Sequence, residues 1–257
     1  MMKAERSRDP LESRLESGRC VMLYDPSLAG NFDERWFDPG HWSAMGAKRG
    51  EAAGRGATLF FATADREYAL RHYRRGGLVA QLLGDRYLDL GEQRSRPIRE
   101  FRITRHLQRL GLPVAPVVAA RHAPDGFFCR GDLITVRLMG TRTLAECLTS
   151  SPAAIDWPAV GATIARFHAL GLCHADLNAH NLLVDTGGQW HLIDFDRASL
   201  RPPGLWCDAH LVRLRRSLLK LHDREGGVLD EQTWHALLGG YRNAHPTQRS
   251  GGGIEKP

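Results

Sequence analysis

His174-Ala-Asp176-Leu-Asn-Ala-His-Asn181 and the following Ile193-Asp194-Phe195 decide how this chain is read. Asp176 lies five residues before Asn181, and Asp194 lies thirteen after it. Phosphoryl transfer from ATP needs three groups of these types. One Asp receives or orients the proton of the attacking hydroxyl, while an Asn and a second Asp hold magnesium on the phosphates.

The local pattern supports the same reading. Leu182-Leu-Val184 and Trp190-His-Leu-Ile-Asp-Phe195 are strand-like runs on either side of Asp185-Thr-Gly-Gly-Gln189. A Gly-Gly pair between two such runs predicts a tight hairpin. A two-residue turn centred on Gly187-Gly188 sets Leu182 opposite Ile193 and Asn181 opposite Asp194. Directly opposed residues in an antiparallel pair have Cα atoms about 4.5–5.5 Å apart, so one cation would bridge the two side chains. Magnesium suits such a site, because it takes few protein oxygens and completes its octahedron with water and phosphate. A surface hairpin with polar ends would use similar residues. The spacing favours the metal reading.

Outward from this core, the second half reads as helical. Asp156 caps a helix with Pro158 in its first turn and Val160, Ile164, Phe167 and Gly171 along one face. Trp206 to Leu221 places Leu211, Leu214, Leu218 and Leu221 on one side and basic residues on the other. Leu229 to Tyr241 predicts a last helix, and residues 245–257 a disordered tail. Towards the N-terminus, Asp132 to Met139 and Val114 to Val118 read as strands about a turn at Pro124-Asp-Gly126. Ser95-Arg-Pro97 opens a helix that Gly111-Leu-Pro113 stops. Ala57 to Ala62 and Tyr68 to Tyr73 pair as strands. Before them, Gly46, Gly50, Gly54 and Gly56 accompany Lys48, Arg49 and Arg55. A loop of that composition would lay backbone amides on phosphates, and a flexible surface loop would have the same composition. Residues 1–20 read as a flexible arm, 21–139 as a β-rich lobe and 140–244 as a mainly helical lobe with the catalytic loop.

Composition bounds the function classes. The chain has 257 residues, 42% hydrophobic and 25% charged, as an ordinary soluble globular protein does. The longest apolar candidate, Leu112 to Ala120, contains two prolines and is too short to span a membrane. The polar N-terminus lacks a signal core, so a cytoplasmic location is expected. Five cysteines are scattered singly with no CxxC, which argues against a disulfide framework and a zinc site. The net charge of +6 favours anionic partners. The charge clusters at Arg71 to Arg75, at Arg94 to Arg105, and at Arg213, Arg215, Arg216 and Lys220. No aromatics interleave with these runs as in nucleic-acid readers, so no nucleic acid is expected.

These residues resemble the protein-kinase-like superfamily. His174-Ala-Asp176 to Asn181 matches its catalytic loop. Asp194-Phe195-Asp196 matches its magnesium motif, with Asp where the last Gly usually stands. More narrowly, the chain resembles the 3-deoxy-D-manno-octulosonic acid (Kdo) kinases of Gram-negative bacteria. The likeness runs through Gly54-Arg-Gly56, Leu70-Arg-His-Tyr-Arg-Arg-Gly-Gly77, Asp85-Arg-Tyr87, Arg99-Glu-Phe101, Gly111-Leu-Pro-Val114, the catalytic loop and Ile193-Asp-Phe-Asp-Arg197. The resemblance implies an α+β, two-lobed kinase fold. It also implies ATP-dependent phosphorylation of the 4-hydroxyl of Kdo on a lipid A precursor, at the cytoplasmic face of the inner membrane.

Carried over by position, Asp176 is the catalytic acid/base, and Asn181 and Asp194 bind magnesium. Glu100 takes the place of the helix Glu that pairs with a strand cation, and Arg71 stands where that cation is usually Lys. Gly54 and Gly56 join Arg71 and Glu100 as nucleotide-binding positions. Arg74 and Arg75 are the candidates for the anionic glycolipid. His174 is expected to pack and hydrogen-bond rather than act as base. Ala175 replaces the Arg that clasps an activation-loop phosphate in many protein kinases. Eleven residues separate Asp194 from Trp206, which leaves little room for a peptide platform. The expected cofactors are ATP and Mg2+, the expected contacts are the glycolipid and an anionic membrane surface, and no protein partner is expected. Two other readings remain open at this point. One is a small-molecule kinase of the aminoglycoside or choline type, which usually carries His-Gly-Asp. The other is a pseudokinase scaffold, although all three catalytic groups are present.

Overall fold

The computed structural model describes residues 3–6, 12–52, 58–73, 86–225 and 229–244. The protein is α+β, and it divides into two compact units. One is Met1–Thr141 with Ile193–Arg197, the other Arg142–Leu192 with Ala198–Pro257.

The first unit is built on an antiparallel sheet. Its elements are β1 (Lys3–Arg6), β2 (Ser13–Ser17), β3 (Cys20–Tyr24), α1 (Pro39–Ala44), β4 (Lys48–Ala52), β5 (Thr58–Ala62), β6 (Glu67–His72), β7 (Tyr87–Leu88), α2 (Arg96–Arg109), β8 (Val117–Asp125) and β9 (Phe128–Val136). The strand order is β1-β2-β3-β8-β9-β6-β5-β4, with β7 also paired to β9. Strict alternation organises β5 and β6. Leu59 faces Leu70, Phe61 faces Tyr68, and all four are buried. They pack with Trp36 and Trp42 into one core, where the Trp42 and Phe61 rings stack at 4.0 Å. Each such side chain contributes about 1.5–3 kcal/mol on burial. Strand alternation sends Arg71 to the face opposite Leu70. There α2 packs Ile98 and Phe101 into a second core with Tyr73 and Leu133.

Two expectations change. Residues 1–20 are not simply an arm, because β1 and β2 extend the sheet. Leu15 is buried, and Arg14 is held bidentately by Glu92 at 2.6 and 2.9 Å. A single inward apolar residue among charged neighbours leaves no periodic signal to read. The strand expected near Val114 starts at Val117 and runs to Asp125, so the Asp125-Gly126 turn closes a long hairpin with β9. Gly54, Gly56, Arg74 and Arg75 lie outside the described residues, as does the expected tail.

The second unit contains β10 (Arg142–Thr143), α3 (Leu144–Ser150), α4 (Trp157–Ala169), β11 (Leu172–Cys173), β12 (Leu182–Val184), β13 (Trp190–Leu192), β14 (Ser199–Leu200), α5 (Trp206–Glu225) and α6 (Glu231–Ala244). Thr143 and Glu146 cap α3 reciprocally. The Asp156 side chain accepts the Ala159 N–H at 3.0 Å and starts α4, with Pro158 in the first turn. Val160, Ile164 and Phe167 of α4 are buried, as are Leu211, Leu214, Leu218 and Leu221 of α5. Helices α4 and α6 approach backbone to backbone. A Cβ on Gly161 would lie 2.0 Å from the Leu237 carbonyl oxygen, and one on Gly240 2.0 Å from that of Pro158.

Candidate active site

In the second unit, the catalytic-loop residues Leu177 and Ala179 are buried while Asp176 is exposed. Backbone and amide contacts hold the loop. Asn181 Nδ2 donates to the Asp176 carbonyl at 2.9 Å, and Asn178 Nδ2 donates to the same oxygen at 3.0 Å. The Asn178 side-chain oxygen accepts the His180 N–H at 2.8 Å. Buried His174 accepts the Asp176 N–H on Nδ1 at 3.3 Å. The Ala179 N–H donates to Ser217 Oγ of α5 at 3.2 Å. The backbone of Asp176 is therefore anchored, while its carboxylate has no partner among the described residues. Asn181 is buried and spends its amide nitrogen on the loop. Its Oδ1 has no partner among the described residues.

The hairpin after Asn181 corrects the expected register. Leu182 pairs with Leu192 and Val184 with Trp190, so Asp194 does not stand opposite Asn181 in the ladder. The turn is one residue longer than a Gly-Gly turn. The Asp185 N–H bonds to the Gln189 carbonyl, and the Asp185 side chain captures the Gly187 and Gln189 N–H groups at 2.9 Å each. Gly188 takes φ 81°, the left-handed residue that a three-residue hairpin loop requires. A one-residue slip flips every side chain to the other face of a strand. Asp194 lies beyond β13 at φ 66°, where strand parity no longer sets side-chain direction.

In the first unit, each residue of Asp194-Phe195-Asp196 is gripped separately. Arg71 Nη1 donates to Asp194 Oδ1 at 2.6 Å. The Phe195 N–H donates to Glu100 Oε1 at 3.1 Å. Arg96 forks onto Asp196, with Nε on Oδ1 at 2.6 Å and Nη2 on Oδ2. Arg71 also ion-pairs with Glu100 and donates to Tyr73 Oη at 2.9 Å, and Tyr73 O–H donates to Glu100. So β6 and α2 bring together Arg71 and Glu100, the two residues expected to pair. Burial by itself would lower the Arg71 pKa. Glu100, Tyr73 and Asp194 outweigh it and hold the guanidinium charged, well above its ordinary value. Burial raises the Glu100 carboxyl despite Arg71, with the Asp194 charge adding to the rise. Burial likewise pushes the Tyr73 hydroxyl up.

Several contributors escape sequence reasoning. Arg96 looks like a helix-capping residue, yet it is the partner of Asp196 and sits over the Tyr73 and Tyr87 rings at 5.1 and 5.0 Å. Asp in place of the usual Gly at position 196 was the available signal. Asn178 stabilises the loop by an Asx turn, and only its amide type hinted at that. Cys173, the residue before His174, belongs to a buried relay and also accepts from Arg201 Nη2 at 2.8 Å. Tyr241 Oη lies 2.8 Å from His168 Nδ1, His168 Nε2 lies 3.2 Å from His210 Nδ1, and His210 Nε2 lies 3.5 Å from Cys173 Sγ.

Comparison with known proteins supplies the family. The family model described as lipopolysaccharide kinase (Kdo/WaaP) family matches residues 40–241. The chain belongs to the lipopolysaccharide kinase (Kdo/WaaP) family. Members of this family named 3-deoxy-D-manno-octulosonic acid kinase are similar along most of the chain. The protein from Xylella fastidiosa (strain M23) is 41% identical over 202 residues, covering 78% of this chain and 81% of its own. That from Stenotrophomonas maltophilia (strain K279a) is 40% identical over 222 residues, covering 86% and 88%. That from Xanthomonas axonopodis pv. citri (strain 306) is 42% identical over 205 residues, covering 79% and 82%. The solved structure of WaaP in complex with acyl carrier protein has a TM-score of 0.53 at 19% identity, covering 82% of this chain and 86% of its own, a likeness of fold. No helix among the described residues is long and apolar enough to cross a membrane.

Proposed function

We propose that this chain transfers the γ-phosphoryl group of ATP to the 4-hydroxyl of Kdo on a lipid A precursor. It is a kinase of lipopolysaccharide biosynthesis, a phosphotransferase with a hydroxyl acceptor. The observation that carries the assignment of its base is Asp176, exposed and, among the described residues, unpartnered on a loop whose backbone is anchored. Its carboxylate takes the proton of the attacking hydroxyl as that oxygen bonds to the γ-phosphorus. The bond to the bridging oxygen breaks, and ADP leaves with the electron pair.

Asn181 and Asp194 are the proposed magnesium ligands. They fit that ion, because both offer hard oxygens and Asn181 keeps Oδ1 uncommitted. Bound magnesium supplies charge neutralisation on the phosphates. Arg71 bonds one oxygen of Asp194 and, through Glu100, is tied to the Phe195 N–H. That network orients the segment carrying the metal ligand. Arg71 and Glu100 are thus proposed to order the nucleotide end of the reaction, with Gly54 and Gly56 on the phosphates. Arg74 and Arg75 are proposed to meet the anionic glycolipid at the cytoplasmic face of the inner membrane, with the protein bound peripherally.

The test supplies purified protein with ATP, magnesium and a Kdo-bearing lipid A precursor, and locates new phosphate by mass spectrometry. Phosphate on the Kdo 4-hydroxyl is expected. Phosphate on aminoglycoside or choline acceptors instead, with the glycolipid left unmodified, would overturn the assignment of the substrate.

A further inference from the structure

Asp89, His122 and Cys129 converge in the first unit, and none of them is assigned above to phosphoryl transfer. One ligand atom from each lies within 4.8 Å of the others. They come from three places. Asp89 follows β7, where its N–H bonds to the Phe127 carbonyl at 2.9 Å. His122 belongs to β8 and Cys129 to β9, and their ladder positions, opposite Gly131 and Pro124, put both on one face of the sheet.

The imidazole of His122 is 3% exposed and poorly satisfied. Its Nε2 is 3.5 Å from Asp89 Oδ1, long for a hydrogen bond. Its Nδ1 is buried with no hydrogen-bond partner among the described residues. A buried polar atom left in this state costs stability unless a water or an ion meets it. A carboxylate and a sulfur, both of metal-ligand type, each place an atom within 4.8 Å of one nitrogen of this ring.

We propose that Asp89, His122 and Cys129 bind a divalent cation of the zinc class. The donor set decides the class. One sulfur, one imidazole nitrogen and one carboxylate oxygen suit zinc or cobalt, and magnesium prefers oxygen alone. Tetrahedral zinc places its ligands about 3.5 Å from one another. His122 Nε2 and Asp89 Oδ1 already have that spacing, and all three ligand atoms lie within 4.8 Å of one another. Three protein ligands leave a fourth position for water. Cys129 also lines a cavity of about 220 Å³ with Leu88, Leu90 and Gly91, shared with Tyr73 and Arg96.

Zinc ligation needs a neutral imidazole and a thiolate, so metal uptake would release the Cys129 proton. A bound ion would tie the segment after β7 to the β8–β9 hairpin.

The experiment strips the full chain with a chelator and titrates it with Zn2+ and with Co2+. One equivalent should bind, the cobalt form should show thiolate-to-metal charge-transfer absorption, and zinc uptake in weak buffer should release protons. Cys129→Ser should abolish the sulfur absorption and weaken zinc binding about tenfold or more. Asp89→Asn should keep the sulfur absorption and weaken binding by about tenfold or more. The proposal is overturned by absence of stoichiometric binding, or by sulfur absorption that survives Cys129→Ser, which would place the metal on another cysteine. If Cys129→Ser does not fold, Asp89→Asn decides: affinity equal to wild type rejects the site.

Discussion

Asp176 stands exposed on a loop held by Asn178, Asn181, His174 and Ser217, none of which touches its carboxylate. Asp176→Asn therefore removes the proposed base and leaves the loop's anchors in place. Turnover should fall about 10²–10⁴-fold, the usual worth of general acid/base help, with the thermal midpoint unchanged. Near wild-type turnover would remove Asp176 from the mechanism. A second residue-scale pair, Arg96 and Asp196, decides whether the segment Asp194-Phe195-Asp196 is clamped or merely adjacent. The fork is partly exposed, with Arg96 at 34% and Asp196 at 14%, so solvent screening keeps it below a fully buried pair. A double-mutant cycle with Arg96→Met and Asp196→Ala, read from urea midpoints, should give a coupling of about 1–2 kcal/mol. Additive single effects would mean that Arg96 does not hold Asp196.

At the scale of elements, the contact of α4 with α6 depends on two glycines. Alanine at either position gains helix propensity of about 1 kcal/mol, yet its methyl meets backbone at Gly161 and at Gly240. Backbone cannot rotate away as a side chain can, so overpacking wins. Gly161→Ala and Gly240→Ala should each destabilise by about 1–3 kcal/mol, seen as a lower thermal midpoint. A rise in that midpoint would show that the helices part without penalty. The same unit carries a pH dependence. His210 of α5 lies between His168 of α4 and Cys173 of β11. Burial first, then the charges of His174, Arg213 and Arg201, lowers its pKa to about 4. Unfolded, it titrates near about 6.5. Its neutral form thus favours the fold above the unfolded value. That stability is lost as pH falls from about 6.5 through about 4, by an amount on the order of 2 kcal/mol. His210→Gln should flatten the fall of the thermal midpoint across that window. An identical slope in the variant would show that other groups carry it.

Across the whole molecule, the +6 charge is less of a patch than the sequence clusters suggest. Of the arginines between 94 and 105, Arg96 is committed to Asp196, Arg102 to Gln93, and buried Arg105 to Asp25. Arg215 pairs with Glu231. Arg94, Arg99, Arg213, Arg216 and Lys220 remain exposed. The glycolipid assignment proposed above is tested at Arg74 and Arg75. Each basic residue near an anionic bilayer contributes about 1 kcal/mol, which salt screens. Replacing both with Ala should raise the KM for glycolipid, leave the KM for ATP nearly unchanged, and weaken binding to anionic vesicles. Loss of ATP affinity alone would move the cluster to the nucleotide site.

What the sequence by itself determined is what short periods and fixed spacings encode. The alternation through Leu59, Phe61, Tyr68 and Leu70 marks two strands, the stripe Val160, Ile164 and Phe167 a helix, and Asp176, Asn181 and Asp194 a kinase motif. Arg71 and Glu100, expected to pair by analogy, do so because strand alternation and helix packing bring them to one face. Tertiary structure alone decided the rest. The hairpin register depended on where the Asp185 carboxylate captures amides. The sheet's β1 and β2 depended on Leu15 finding a core and Arg14 finding Glu92, 78 residues away. The Arg96–Asp196 fork spans 100 residues, and the Tyr241–His168 contact 73. Such pairs leave no local trace, because a polar side chain far along the chain gains its partner only after both cores have closed around it.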